Sequence, residues 1–566
     1  MFANLAAMHR ATVERFPAKT ALRYKREGTY RELAWSEYRR QADCAAAALI
    51  DLGVQPGDRV GLLSENRCEW LVADIAILSA GAADVPMHAP LSPAQVEYQL
   101  SHSEARGVIV GSPTQADKVF ASLGVLPALK FVVAFDSLDA ERVAQAKEMA
   151  PRLRIETWSD LLARGSALAA QLNEVRRRAA ALGRGDLATI IYTSGTTGNP
   201  KGVMLTHGNL CSNAESMLSV ADTTPEDVLL SWLPYSHVYA RTVDHYLNIL
   251  AGSTVCLAES QETLLANLAE TQPTWITAVP RFYEKVWSAV CQLPPDVRAA
   301  QIKKIFGPRI RWLSSGGAPL PRHVAEGFIA AGILLLEGYG LTESSPVIAF
   351  NRLDNYRVGT VGQAIPGVEV RIADDGEILT RGPHVMRGYW KEPEATAAAI
   401  IDGWLHTGDV GRLDSDGFLT ITDRKKDLII TSGGKNIAPS ELERLLVRDP
   451  YIDQAVVCGD RRPFVAALIV PNLQLLTEKA TELGRSLEVR DGVIQDEALL
   501  AFMAARIESA MQVLSQPERV KKFLLLGRPF QAESNELTAT LKIRRRHILE
   551  KYAQRIGALY AECNQS

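Results

Sequence analysis

Short β-branched runs alternate with longer stretches of helical spacing through the first third of the chain. Val60-Gly61-Leu62-Leu63 and Val108-Ile109-Val110 are brief, continuously apolar and bounded by polar residues, the pattern of strands buried on both faces. Between them, residues 69–80 place apolar side chains at helical spacing and stop at Gly81, a C-cap signal. Residues 1–16 also read as a helix. His, Arg and Glu inside their apolar pattern predict a surface helix rather than a leader. Alternation of this kind from Ala18 to about Gly183 predicts a mostly parallel sheet with helices on both faces.

Further strands follow at Ala188-Thr189-Ile190-Ile191, at Ile310-Arg311-Trp312-Leu313 and at Leu334-Leu335-Leu336. Thr206 reads as the N-cap of a helix. Residues 417–424 read as a strand leaving this first unit. Residues 427–443 then give a strand, a Gly433-Gly434 turn and a helix capped by Ser440. A strand at 465–470 and a helical insert over about 472–516 complete a second, smaller α/β unit. The fold class is therefore α/β, and 566 residues exceed what one core organises.

Composition narrows the partners. The net charge of −3 offers no electrostatic footprint for nucleic acid, and Arg176-Arg177-Arg178 reads as a solvated helix face. Seven cysteines stand without a C-x-x-C pair, and no run nears ~18 uninterrupted apolar residues. These features predict reduced thiols and a cytoplasmic location, with peripheral membrane contact left open.

The chemistry concentrates in loops that follow strands. Tyr192-Thr193-Ser194-Gly195-Thr196-Thr197-Gly198-Asn199-Pro200-Lys201-Gly202 is dense in backbone N–H groups, hydroxyls and one cation, an inventory suited to a polyphosphate. It is not a Walker A loop, because no Gly-Lys-Ser/Thr closes it at the required spacing. Gly316, Gly317 and Ala318 follow another strand, where glycines let a flat base lie against the backbone. Glu337-Gly338-Tyr339-Gly340-Leu341-Thr342-Glu343 follows a third. There Tyr339 offers a face for adenine, Thr342 a hydroxyl for a phosphate, and Glu343 a hard oxygen for Mg²⁺. His237, in Leu233-Pro234-Tyr235-Ser236-His237, reads by itself as a partly buried histidine; His88 and His102 read as surface or packing histidines.

In this order the motifs closely resemble those of the adenylate-forming enzymes: AMP-binding acyl-CoA synthetases, adenylation domains and luciferases. The resemblance runs from about Thr12 to near the C-terminus. It implies residues 1–424 as the AMP- and acyl-binding domain and 425–566 as a mobile domain, hinged near Lys426. It implies that Thr193 to Gly198 and Lys201 bind the phosphates of ATP and that Gly316, Gly317, Ala318, Gly338, Tyr339 and Gly340 bind adenine. Asp409 and Arg424 would hold the ribose, His237 would face the carboxylate end of the acyl pocket, and Gly433, Gly434 and Lys435 would line the coenzyme A channel. Lys542, in Glu536-Leu537-Thr538-Ala539-Thr540-Leu541-Lys542, takes the place of the catalytic lysine, although Ala539 stands where the family usually has proline. Val279-Pro280-Arg281 and the long C-terminal unit resemble long-chain members. The implied activity is ATP- and Mg²⁺-dependent activation of a long-chain fatty acid, followed by thioester formation with coenzyme A. The alternatives are a fatty acyl-AMP ligase serving a carrier protein, an aryl or medium-chain ligase, and a nucleotide-binding scaffold without chemistry.

Overall fold

The computed structural model describes residues 1–193, 199–430, 436–531, 534–537 and 543–561. Residues 60–63 and 108–110 are indeed strands, Arg59–Leu63 and Gly107–Val110, in an eight-stranded sheet. Its order runs Gly388–Tyr389, Lys201–Thr206, Leu187–Thr193, Ala83–Met87, Arg59–Leu63, Gly107–Val110, Phe131–Ala134 and Arg154–Thr157. From Leu187–Thr193 onward the neighbours are parallel, while the two strands on the other side are antiparallel. Helices such as Cys68–Ser79, buried along nearly its whole length, cover the sheet; this is why its strands carry continuous apolar runs rather than alternation.

A nine-stranded sheet carries the other strand-end loops. Its central run, Leu334–Gly340, Trp312–Ser315, Trp275–Ala278, Val228–Ser231, Thr254–Leu257 and Thr20–Arg26, is parallel, with antiparallel strands at both edges. A third, five-stranded antiparallel sheet includes Glu377–Arg381, Trp404–Leu413 and Leu419–Arg424. The C-terminal unit is built on Val465–Pro471, buried at every position between Ile452–Cys458 and Val520–Leu525.

Several expectations change on folding. The first helix, Leu5–Arg15, lies at the surface with Glu14 and Arg15 exposed, yet it is packed more deeply than its charges suggest: Leu5 and Met8 are fully buried, and the Asn4 amide donates to the carbonyls of Ala179 and Leu182. A ring of charge on one face does not stop the other face from packing. Arg177 is solvated, but its neighbour Arg178 is buried and donates to the carbonyls of Val54 and Ala80. Ser440 is not an N-cap. The helix is Pro439–Leu446 with Ala438 at the cap, and the Ser440 N–H and hydroxyl both donate to Asp423 on Leu419–Arg424. The expected insert is two helices, Leu473–Glu482 and Glu497–Ala510, separated by a short hairpin. Thr206 does cap His207–Ala221, in a reciprocal box with Asn209.

No helix among the described residues is long and apolar enough to cross a membrane. The cysteines among them (44, 68, 211, 256, 291 and 458) are all free.

Candidate active site

The strand Leu334–Gly340 runs parallel beside Trp312–Ser315 and leads directly into the segment that carries Thr342 and Glu343. Ligands of open α/β sheets bind beyond the carboxyl ends of such strands. At this end Gly340 is required: a Cβ there would lie 1.8 Å from the carbonyl oxygen of Pro346. The close approach lets the chain turn directly into the short 3₁₀ segment Thr342–Ser344, which carries Thr342 and Glu343.

The ribose candidates are assembled around Tyr339. Its hydroxyl donates to Asp409 Oδ2 at 2.6 Å, and Arg424 Nε lies 3.2 Å from Asp409 Oδ1. Asp409 and Arg424 are direct cross-strand partners, so sheet register brings together residues 15 apart in the chain. Burial, and then the Asp409 charge, push the Tyr339 phenol well above its usual range, so it stays a donor.

The phosphate candidates meet through a residue absent from the expected set. Thr193 and Lys201 pair across the ends of Leu187–Thr193 and Lys201–Thr206; residues 194–198 between them lie outside the described residues. Beside Lys201–Thr206 runs the two-residue strand Gly388–Tyr389. Lys201 Nζ sits 4.9 Å above the Tyr389 ring, and the Tyr389 hydroxyl donates to Glu343 Oε1 at 2.9 Å. The Met386 N–H donates to the Glu343 carbonyl at 2.8 Å. Two residues are too short a run for periodicity to reveal, so the sequence carried no signal for this strand.

Gly316 and Gly317 follow Trp312–Ser315, and a Cβ on Gly316 would sit 3.1 Å from the Tyr239 ring. The Tyr239 hydroxyl pairs with Ser314 Oγ at 3.0 Å. The loop that carries Ala318 is tied to Glu337, which accepts the Leu320 N–H. Burial raises the Glu337 carboxyl to about 7; the Leu320 N–H and Arg444 of the C-terminal unit oppose the rise.

His237 stands just before a fully buried π-helix, Ala240–Tyr246, and its Nδ1 accepts the Tyr239 N–H. That helix bolts the two large sheets together. Asp244 accepts from Ser231 and Thr277 of one sheet, while Arg241 donates to Thr189 of the other and pairs with Asp74 and Asp84. The expected set missed Arg241 and Asp244, although a charged pair inside an otherwise apolar stretch was a signal that could have found them.

His102 also does more than pack. It stacks on Tyr98, its Nδ1 meets the Tyr192 hydroxyl at 2.9 Å, and Tyr98 donates to the Pro200 carbonyl, so both ends of the phosphate loop lean on the helix Pro93–Ser103. Gly433, Gly434, Lys435 and Lys542 lie outside the described residues. Flanking the last of these, Leu537 bridges Ile543, and the buried Glu536 accepts from Arg528 and Lys551. Lys426 falls between Leu419–Arg424 and the next strand, Ile429–Ile430.

Largely parallel sheets flanked by helices, followed by a smaller α/β C-terminal unit, are the fold of the adenylate-forming enzymes. The chain belongs to the AMP-binding enzyme family. The family's model matches residues 9–390, and that of the AMP-binding enzyme C-terminal domain matches residues 426–564. The long-chain-fatty-acid–CoA ligase FadD15 of Mycobacterium tuberculosis is 35% identical over 94% of this chain and 93% of its own. The long-chain-fatty-acid–CoA ligase ACSBG1 of Bos taurus is 28% identical over 98% and 85%. Among solved structures, ATP-bound MatB from Rhodopseudomonas palustris superposes with a TM-score of 0.74 at 26% identity, covering 98% of this chain and 99% of that one.

Proposed function

We propose that this protein joins a long-chain fatty acid to coenzyme A through an acyl adenylate, at the expense of ATP. The observation that carries the reading is the convergence at one strand end of two contact chains, Tyr339–Asp409–Arg424 and Lys201–Tyr389–Glu343. The first suits a ribose, whose hydroxyls a carboxylate can accept; the second suits a polyphosphate with its cation. The names of the relatives support the long acyl chain and the thiol acceptor.

A carboxylate is a poor acyl donor because its leaving group would be oxide. Its attack on the α-phosphate of ATP forms the acyl–phosphate bond and releases pyrophosphate; the thiolate of coenzyme A then forms the thioester and AMP leaves. Thr342 donates to the α-phosphate, and Lys201 offsets charge toward the far phosphates. Mg²⁺ enters as part of the nucleotide substrate. One carboxylate beside substrate phosphates is a sufficient protein contribution for this ion, and the Glu343 carboxylate, with one lone pair engaged by Tyr389, fits that need.

His237 positions the fatty acid carboxylate. Lys542 completes the first half-reaction, and the C-terminal unit, 425–566, then turns about Lys426 to bring Gly433, Gly434 and Lys435 to the entering thiol. A panel of acids from acetate to long-chain fatty and aromatic acids, assayed for AMP release with and without coenzyme A, tests the assignment. Each buried methylene contributes ~0.8 kcal/mol, so kcat/KM should climb several-fold per carbon until the site is full. A maximum at acetate or at aromatic acids would overturn the long-chain assignment. Equal turnover without coenzyme A would overturn the thiol acceptor.

A further inference from the structure

Tyr389 lies between two groups that must act on the same triphosphate. Its backbone is held on three sides. It pairs with Val203 of Lys201–Thr206, its N–H donates to Thr396 Oγ1 at 2.8 Å, and the neighbouring Trp390 N–H donates to the Gly202 carbonyl at 2.7 Å. Thr396 is itself anchored through the Glu392 carbonyl on the helix Pro393–Ala399. Gly388 permits this packing, because a Cβ there would lie 2.6 Å from the Thr396 methyl. A ring so fixed aims its hydroxyl at Glu343 Oε1 and presents its face to Lys201, whose ammonium also lies 3.8 Å from Glu392.

We propose that Tyr389 is a positioning residue for the magnesium nucleotide: its hydroxyl fixes the Glu343 carboxylate in the orientation that receives the cation, and its ring holds Lys201 over the phosphates. The inference rests on the proposed role of Glu343. A carboxylate on a short 3₁₀ turn has two free side-chain torsions before its terminal one. A hydrogen bond to one oxygen removes that freedom while leaving the other oxygen's lone pairs for a ligand.

The test is isothermal titration of α,β-methylene-ATP into the full-length protein with and without Mg²⁺, for the parent, Tyr389→Phe, Glu343→Gln and the double variant. Phenylalanine keeps the ring under Lys201 and removes only the hydroxyl. Tyr389→Phe should leave the Mg²⁺-free Kd and the nucleotide-free melting temperature unchanged, and should cut the tightening produced by Mg²⁺ by about tenfold, the usual scale of a hydrogen bond to a charged group. In the Glu343→Gln background the same substitution should have no further effect. An undiminished Mg²⁺ effect in Tyr389→Phe, with Glu343→Gln losing it, would overturn the positioning role and leave the Glu343 reading standing. Retention of the effect in Glu343→Gln would overturn the Glu343 reading itself. Equal losses with and without Mg²⁺ in Tyr389→Phe would mean a merely structural tyrosine, and the proposal would fall.

Discussion

Arg241→Met should be among the most damaging single substitutions outside the site. The side chain is fully buried and makes four polar contacts. Nη2 lies 2.6 Å from Asp74 Oδ1 and 2.7 Å from Asp84 Oδ2, Nη1 donates to Thr189 Oγ1 at 2.7 Å, and Nε donates to the Tyr246 hydroxyl at 2.8 Å. Methionine nearly preserves the volume, so little of the loss comes from a cavity. What remains is two buried carboxyl groups deprived of their cation, and removing one partner of a buried pair typically costs ~3–5 kcal/mol. At about 2.1 cal/mol/K of unfolding entropy per residue, a loss near 4 kcal/mol lowers the Tm of a domain of roughly 400 residues by about 5 °C.

The loss should depend on pH. Burial raises the Asp74 carboxyl above its ordinary range and Arg241 opposes that rise, so without the guanidinium the folded-state pKa moves further up. A group raised in the folded state stabilises that state less as pH increases, so the deficit should be larger at pH 8 than at pH 5. Differential scanning fluorimetry and urea titration at the two pH values read this out, with Arg177→Met, exposed on its helix, as the control expected to do little. A deficit below about 1 kcal/mol, or one that does not change with pH, would refute the picture of the π-helix as an ionic bolt.

Two further predictions concern the site and its border. Lys542→Ala should lose acyl-adenylate formation by about 10²–10³-fold, the scale of one positioned transition-state donor, while chemically prepared acyl-AMP and coenzyme A still give thioester at near the parent rate; single-turnover assays showing equal losses in both half-reactions would remove the lysine from that role. Glu337→Gln addresses the carboxyl that burial pushes up from its ordinary 4.5 to about 7. Below the lower value both states are protonated; between the two values the parent loses stability as pH rises; above the upper one the penalty is complete, so the Gln variant should gain in Tm relative to the parent from pH 4.5 to pH 8. Parallel melting curves across that range would show that Glu337 ionises in the fold at no cost.

The motif-bearing loops were legible in the sequence because their chemistry is local. A strand that ends in glycines, hydroxyls and a lysine carries the inventory expected of a phosphate site in its own residues, and Gly340 is dictated by a turn that closes within six residues, against Pro346. The α/β class was equally legible, since buried parallel strands must be continuously apolar. What periodicity could not supply was anything decided by a partner distant in the chain. Met8 packs inward only because distant segments cover it, and Ser440 serves Asp423 rather than its own helix because the strand Leu419–Arg424 places a carboxylate beside it. Tyr389 becomes significant only when a two-residue strand joins the edge of a sheet whose next strand begins with Lys201, and Arg241 only when two sheets close on it. Composition and local pattern determine which segments become strands, helices and ligand loops. Which side chains then share a buried carboxylate or a cation depends on register and packing between segments up to hundreds of residues apart, and only the tertiary structure decides that.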